Sequence, residues 1–198
     1  MILDAVRWVK SRKDRPWLVL GKGPTFDRRG EVDLAAYRVL AINDTCAVVE
    51  ADLVHLTDVA ALGRVRDKIL GAATVVMPWH PHVDHSPGEK TLFELAAGDE
   101  LLSRLEAGGR LVSYNSTVAR KLPKNPDLRE IRVRYFSAVA AVNLLRAAGV
   151  AEIRTLGVDG GKEYASAFSH QTPLRNGRAS FDDQGKEIRS KAKPLFKK

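Results

Sequence analysis

Apolar residues fall in short runs, and each run ends on glycine or on a polar residue. Trp17–Leu20 runs into Gly21, Arg38–Ile42 into Asn43-Asp44, and Ala51–Leu56 into Thr57-Asp58. Ala73–Met77 ends in a Pro/His-rich segment, Arg110–Ser113 in Tyr114-Asn115-Ser116-Thr117, and Glu152–Leu156 in Gly157. A continuous apolar run of this length, bounded by turn residues, predicts a strand covered on both faces. Glu130–Val133 predicts one more. Between the runs, Val59–Leu70, Thr91–Ala107 and Phe136–Ala148 carry apolar residues at helical spacing. Thr57 or Asp58 suits the N-cap of the first; Gly98 interrupts the second; Gly108-Gly109 and Gly149 stop the second and third. Ile2–Lys13 predicts an N-terminal amphipathic helix, and Val32–Tyr37 a short one. Strands alternating with helices predict an α/β fold, a doubly wound, mostly parallel sheet of about six or seven strands.

In such sheets ligands bind outside the carboxyl ends of the strands. Those ends carry Gly21-Lys22-Gly23-Pro24-Thr25, Asn43-Asp44, Thr57-Asp58, His80–His85, Tyr114–Thr117 and Gly157–Gly161. One rim is thus lined with glycines, amides, hydroxyls and carboxylates, which suits a nucleotide-type ligand. At the first turn, glycine admits positive φ and close approach of a ligand, and exposed N–H groups suit a phosphate. The turn is neither G-x-x-x-x-G-K-[ST] nor G-x-G-x-x-G, so neither of those mechanisms applies. Lys22 reads either as a point charge for a diphosphate or as a solvated loop lysine.

Composition narrows the class. The chain has 198 residues and 44% hydrophobic content, enough for one domain with a sizeable core. No apolar run has the length of a membrane-spanning helix, and the charges scattered through the first residues do not read as a signal peptide. A single cysteine, Cys46, excludes an internal disulfide, and a cytoplasmic location follows by default. Residues 175–198 hold eight Lys/Arg against three Asp/Glu, so they supply +5 of the net charge of +8. The basic balance therefore argues little for a specific nucleic-acid partner of the folded part. We divide the chain into a nucleotide-binding domain, residues 1–171, and a basic C-terminal extension, residues 172–198. The extension carries one helix near Gln184–Ala192 and reads mainly as a solvated end, with peripheral contact to an acidic membrane as its functional alternative.

Two stretches resemble a known group. Gly21-Lys22-Gly23-Pro24-Thr25 after one strand, Asn43 after the next and Asp58 after the third resemble the G-x-G-P-[ST] … N … [ND] pattern of sialyltransferase-like proteins. That group includes bacterial sialyltransferases, Maf-type flagellin-modifying glycosyltransferases and archaeal 6-hydroxymethylpterin pyrophosphokinases. The segment from Tyr135 to Phe168 is similar to the sialyltransferase stretch in which serine opens an alanine-rich helix, a strand follows, then Gly-x-Asp and a tyrosine; Ser137, Gly157, Asp159 and Tyr164 match. The resemblance implies a Rossmann-like fold and a nucleotide-sugar donor, a CMP-sugar first, used without a metal. It implies that Gly21, Lys22, Gly23, Pro24, Thr25, Asn43 and Asp58 surround the nucleotide. Ser137 would meet a phosphate or carboxylate, Asp159 ribose or base hydroxyls, and Tyr164 the leaving phosphate. The acceptor would be a glycan or protein. The pterin-kinase branch implies instead Mg-ATP-dependent pyrophospho- or phosphotransfer, with Mg²⁺ on Asp58, Asp159 or both. A third reading is a nucleotide-binding module without chemistry.

Transfer to a hydroxyl needs a base, and histidine titrates near neutrality. His170, just past Gly-x-Asp, is the candidate catalytic residue, with an ordinary loop histidine as the alternative. His80, His82, Asp84 and His85 are types that ligate zinc, but their spacing matches no standard metal site. A loop shaping the pocket, with Trp79 as a stacking platform, is the preferred reading. His55 reads as a core or interface residue.

Overall fold

The computed structural model describes residues 1–69, 73–133, 137–159, 163–171 and 178–196, with the backbone alone at 178–182 and 184. The predicted parallel strands form β2 (Trp17–Leu20), β3 (Arg38–Ile42), β4 (Leu53–His55), β5 (Thr74–Pro78), β8 (Leu111–Ser116) and β10 (Ile153–Leu156). Three two-residue strands complete the sheet: β1 (Leu3–Asp4), β9 (Glu130–Ile131) and β11 (Lys193–Pro194). The order is β1-β8-β5-β4-β3-β2-β10-β11, with β9 also on β8, and every pairing in this sheet is parallel. A short antiparallel pair, β6 (His82–Val83) with β7 (Ser86–Pro87), stands apart.

Alternation along the strands assigns side chains to two faces. Trp17, Val19, Leu40, Leu53, Val76, Val112 and Ile153 face a core shared with α1 (Ala5–Lys10), α5 (Ser137–Ala147) and α6 (Arg178–Arg189). On the opposite face, Val54, Val75, Met77 and Leu111 pack against α2 (Val59–Val65), α3 (Leu92–Ala97) and α4 (Glu100–Ala107). Leu18, Leu20, Val39 and Leu156 meet Phe26 and Phe168, whose rings lie 5.3 Å apart. The sheet is thus covered on both faces, as its apolar runs require.

Several expectations are corrected. Leu3-Asp4 does not join a helix from Ile2 to Lys13. It pairs with Val112-Ser113 at the edge of β8, and the Asp4 carboxylate then accepts from Arg7 N at 2.8 Å as the cap of α1. The second oxygen accepts from Arg129 N at 2.7 Å, which docks the segment leading into β9. Tyr114–Ser116 are strand rather than loop, because β9 pairs with Asn115 and Ser116. The polar stretch after the glycine turn is a 3₁₀ helix, Pro24–Glu31, and Val32–Tyr37 shortens to one 3₁₀ turn, Leu34–Ala36. The first predicted helix is α2 plus a 3₁₀ turn at Arg66–Lys68; Leu70 lies outside the described residues. The break at Gly98 is present: Gly98 ends α3, whose start is a Thr91/Glu94 capping box, and Asp99 caps α4. Phe136 lies outside the described residues. The basic C-terminal segment does not stand off as a solvated end. Ile188 and Ala192 are buried in the first core, and β11 extends the sheet beside β10.

Candidate functional site

From β2 the chain steps through β3, β4, β5 and β8 in one direction, then crosses back through α5 to β10 on the other side of β2. The winding therefore reverses between β2 and β10, the position where open α/β sheets form a ligand crevice. The turns that leave these two strands are Gly21–Thr25 and Gly157–Asp159, and they lock together. Gly21 N donates to Leu156 O at 2.8 Å and Gly23 N to Gly157 O at 2.7 Å. Gly157 N donates to Thr25 Oγ1 at 2.9 Å. Thr25 in turn donates its backbone N–H to Asp159 Oδ2 at 2.7 Å and its hydroxyl to Asp159 Oδ1 at 2.5 Å.

This contact explains the glycines in a way the local sequence does not. A Cβ on Gly21 would stand 2.4 Å from Gly157 O, and one on Gly23 would stand 2.6 Å from Asp159 Oδ2. Gly157 has φ +71°, in the left-handed region. The close approach is therefore made by the second turn of the chain. Asp159 is spent in part on holding Thr25. Pro24 opens the 3₁₀ helix.

Lys22 is an internal ion-pair partner rather than a solvated lysine. Its Nζ lies 2.9 Å from Asp44 Oδ2 and 2.7 Å from Gln171 Oε1, and 4.7 Å from the centre of the Tyr164 ring. Burial pushes the Asp44 carboxyl up, but hydrogen bonds from Lys22 and Arg64 outweigh it and hold the group below the usual carboxylate range. Ala165 N donates to Lys22 O at 2.7 Å, and Ser166 N and Oγ donate to Asp27, so the segment after Gly-x-Asp lies over the first turn. His170 is exposed on that segment, its ring 3.4 Å from the Gln171 amide.

Among the described residues, the middle of the rim holds buried polar atoms with no partner. Asn43 is left-handed (φ +51°) and its Oδ1 is buried and unpaired. His55, fully buried on the α5 face of β4, lies 3.0 Å through Nε2 from Tyr114 Oη and stacks on that ring; its Nδ1 has no partner. Burial lowers its pKa to about 4, and burial pushes the Tyr114 phenol up, so both are neutral. His55 Nε2 and Tyr114 Oη share one hydrogen bond, whose donor is set by the imidazole tautomer. Two residues on from His55, Thr57 Oγ1 lies 3.0 Å from Ser137 Oγ in the first turn of α5. That helix has 11 residues, and its first N–H groups suit an anion. Asp58 caps α2 through Ala60 N at 2.7 Å, and His85 Nδ1 stands 3.9 Å from its other oxygen. His82 N donates to Thr57 O at 2.8 Å; its Nε2 is buried and unpaired, and burial lowers its pKa.

The remaining loop residues have structural roles. His80 is buried between Gly88 O and Pro123 O, at 3.1 and 2.9 Å. Trp79 packs partly buried against the second core. Among the described residues no three His, Cys, Asp or Glu side chains gather as a metal site. The structure thus brings Gly21, Gly23, Thr25, Gly157 and Asp159 together, sets Lys22 and Tyr164 beside them, and places Asn43, Asp58 and Ser137 at the same carboxyl-end rim. The sequence placed Asp44, Thr57, His82 and Tyr114 on the rim without a role of their own, and did not point to Gln171, to the Thr57–Ser137 pair or to the His55–Tyr114 pair. The period-two spacing of His55, on β4, and Thr57, two residues past it, was the available signal.

No known protein family matches this chain, and no curated protein resembles it at a significant level.

Proposed function

We propose that this chain is a nucleotide-sugar-dependent glycosyltransferase of sialyltransferase-like type, with a CMP-sugar as the first donor to test and a glycan or protein hydroxyl as acceptor. The observation that carries the reading is the crevice where the winding reverses, closed by two interlocked glycine turns, with the first turn of α5 at Thr57 two strands along the same rim. The nucleoside lies along Gly21–Thr25 and Asn43, where ribose or base donors satisfy the unpaired Asn43 oxygen. The donor phosphate meets Ser137 and the N–H groups of α5. In the transfer, the bond from the sugar anomeric carbon to the phosphate oxygen breaks and a bond to the acceptor oxygen forms. The acceptor proton goes to a base, and the nucleoside phosphate leaves. His82, neutral and with Nε2 unpaired, is the base in this reading. His170, exposed beside Gln171, is its alternative. The Mg-ATP reading is less supported by this geometry, because Asp58 accepts from Ala60 N and Asp159 from Thr25.

The test is a thermal-shift screen with CMP, UDP, GDP and ATP, each with and without Mg²⁺. A ligand at a hundred times its Kd stabilises by about 2.7 kcal/mol, or roughly 5–10 °C for a domain of this size. A Mg²⁺-independent shift with CMP or UDP, lost in Ser137→Ala or Asn43→Ala, supports the proposal. An ATP shift that needs Mg²⁺ moves the reading to phosphotransfer, and no shift with any nucleotide removes it.

A further inference from the structure

The nucleotide reading leaves unused a cavity at the other end of the same rim. It measures about 380 Å³, lies beyond the carboxyl ends of β8 and β9, and is lined by Thr117, Arg120, Arg132 and Val133. Its floor is fixed: Thr117 N donates to Ile131 O at 3.1 Å, and Val133 N to Thr117 Oγ1 at 3.0 Å. Arg120 donates Nε to Thr117 O at 3.1 Å, which orients its guanidinium and leaves its terminal nitrogens for another partner. Among the described residues no carboxylate lies within ion-pair distance of Arg120, whereas Lys124 and Arg66 each have one and Arg38 has two. Arg132 stands 3.8 Å from Glu187, a carboxylate held more closely by Lys191 at 2.8 Å. Residues 118–133 hold five Lys/Arg against two Asp/Glu, so this segment is net positive.

Two arginines lining one cavity suit an oxyanion, since planar guanidinium N–H forks match a carboxylate or a phosphate. The cavity is large enough for the acid group and the sugar or small scaffold that bears it. The cavity lies at the β8 end of the sheet, on the side away from the β2/β10 crevice. We infer that Arg120 and Arg132 form an acceptor subsite, and that the acceptor of the proposed transfer carries a carboxylate or a phosphate. The inference rests on the proposed function for the word acceptor; the oxyanion site itself does not.

The experiment is saturation-transfer NMR on the full chain at low salt with three probes: glucose 6-phosphate, glucuronate and neutral glucose. Arg120→Gln and Arg132→Gln are compared with Arg104→Gln, an exposed arginine on α4. The expected result is that at least one acid binds and glucose does not, with affinity about tenfold weaker in each cavity variant and unchanged in Arg104→Gln. Which acid binds names the source of the oxyanion. Saturating CMP should leave the acid bound. Equal binding of glucose, equal affinity in the double cavity variant, or displacement by CMP would each overturn the subsite. If the acids bind as expected and no nucleotide does, the subsite stands and the glycosyltransferase reading falls. If nucleotide binds and neither acid does, the subsite alone falls.

Discussion

The interlocked turns make a sharp demand on Gly157. Its φ of +71° is a conformation in which an L side chain costs roughly 1–2 kcal/mol. A Cβ there would stand 2.1 Å from Gly21 O, 2.7 Å from Gly21 C and 2.9 Å from the Phe26 Cβ. Two of those three atoms are backbone of a turn pinned by Gly21 N and Gly23 N, so no rotamer change relieves the overlap. Overpacking of this kind costs a further 1–3 kcal/mol or so. Gly157→Ala should therefore destabilise by about 3 kcal/mol, a fall in Tm of roughly 6–12 °C at this chain length. The matched control is Gly30→Ala, where a Cβ meets nothing within 4 Å and φ is not left-handed. That variant should be neutral or gain up to about 1 kcal/mol. Urea unfolding of both variants gives the two values. A Gly157→Ala protein as stable as the Gly30→Ala control would refute the turn-on-turn contact, and with it the account of why glycines stand at 21, 23 and 157.

Three further outcomes rest on the Thr25 hydroxyl, the buried His55 and the core under the C-terminal helix. Thr25→Val leaves Gly157 N and the Asp159 carboxylate without their hydroxyl partner and should cost about 2–3 kcal/mol, while Thr25→Ser should cost far less; denaturant titration separates them. Stability should fall as pH drops from 6.5 towards 4, because His55 takes a proton in the unfolded chain at 6.5 but in the folded chain only at about 4. The loss amounts to about 3 kcal/mol, and His55→Leu, whatever its own stability, should flatten that part of the pH curve; an unchanged slope would show that His55 is not buried neutral. Ile188→Ala should cost roughly 2–4 kcal/mol in a chemical melt, and a cost near zero would mean that the C-terminal helix does not share the core.

The six main strands were legible because each is an apolar run covered on both faces, a pattern that survives without knowing its neighbours. β9 was legible too, as Glu130–Val133, though only Glu130 and Ile131 pair; β1 and β11 were not, since each is two residues held by backbone pairing to an existing edge, and backbone pairing leaves no side-chain period. Burial of Ile188 and Ala192 was hidden by the charges around them, as the basic side chains reach solvent from the same turns. At the site, the glycines and Asp159 were visible as residues but their relation was not: Thr25 and Asp159 are 134 positions apart, and the partner of the glycine turn proved to be another turn. Lys22 carried the same ambiguity, settled by Asp44 on the next strand end and Gln171 far along the chain.

The central claim is that a nucleotide occupies the crevice between the ends of β2 and β10. The most direct measurement is a ¹H–¹⁵N NMR titration of the full chain with CMP. With a nucleotide in that crevice, the amides of Gly21, Gly23, Thr25, Asn43, Ser137 and Gly157 shift together, with one affinity. Saturable shifts confined to another part of the molecule, or no shifts at millimolar-scale CMP, UDP, GDP and ATP, would contradict it.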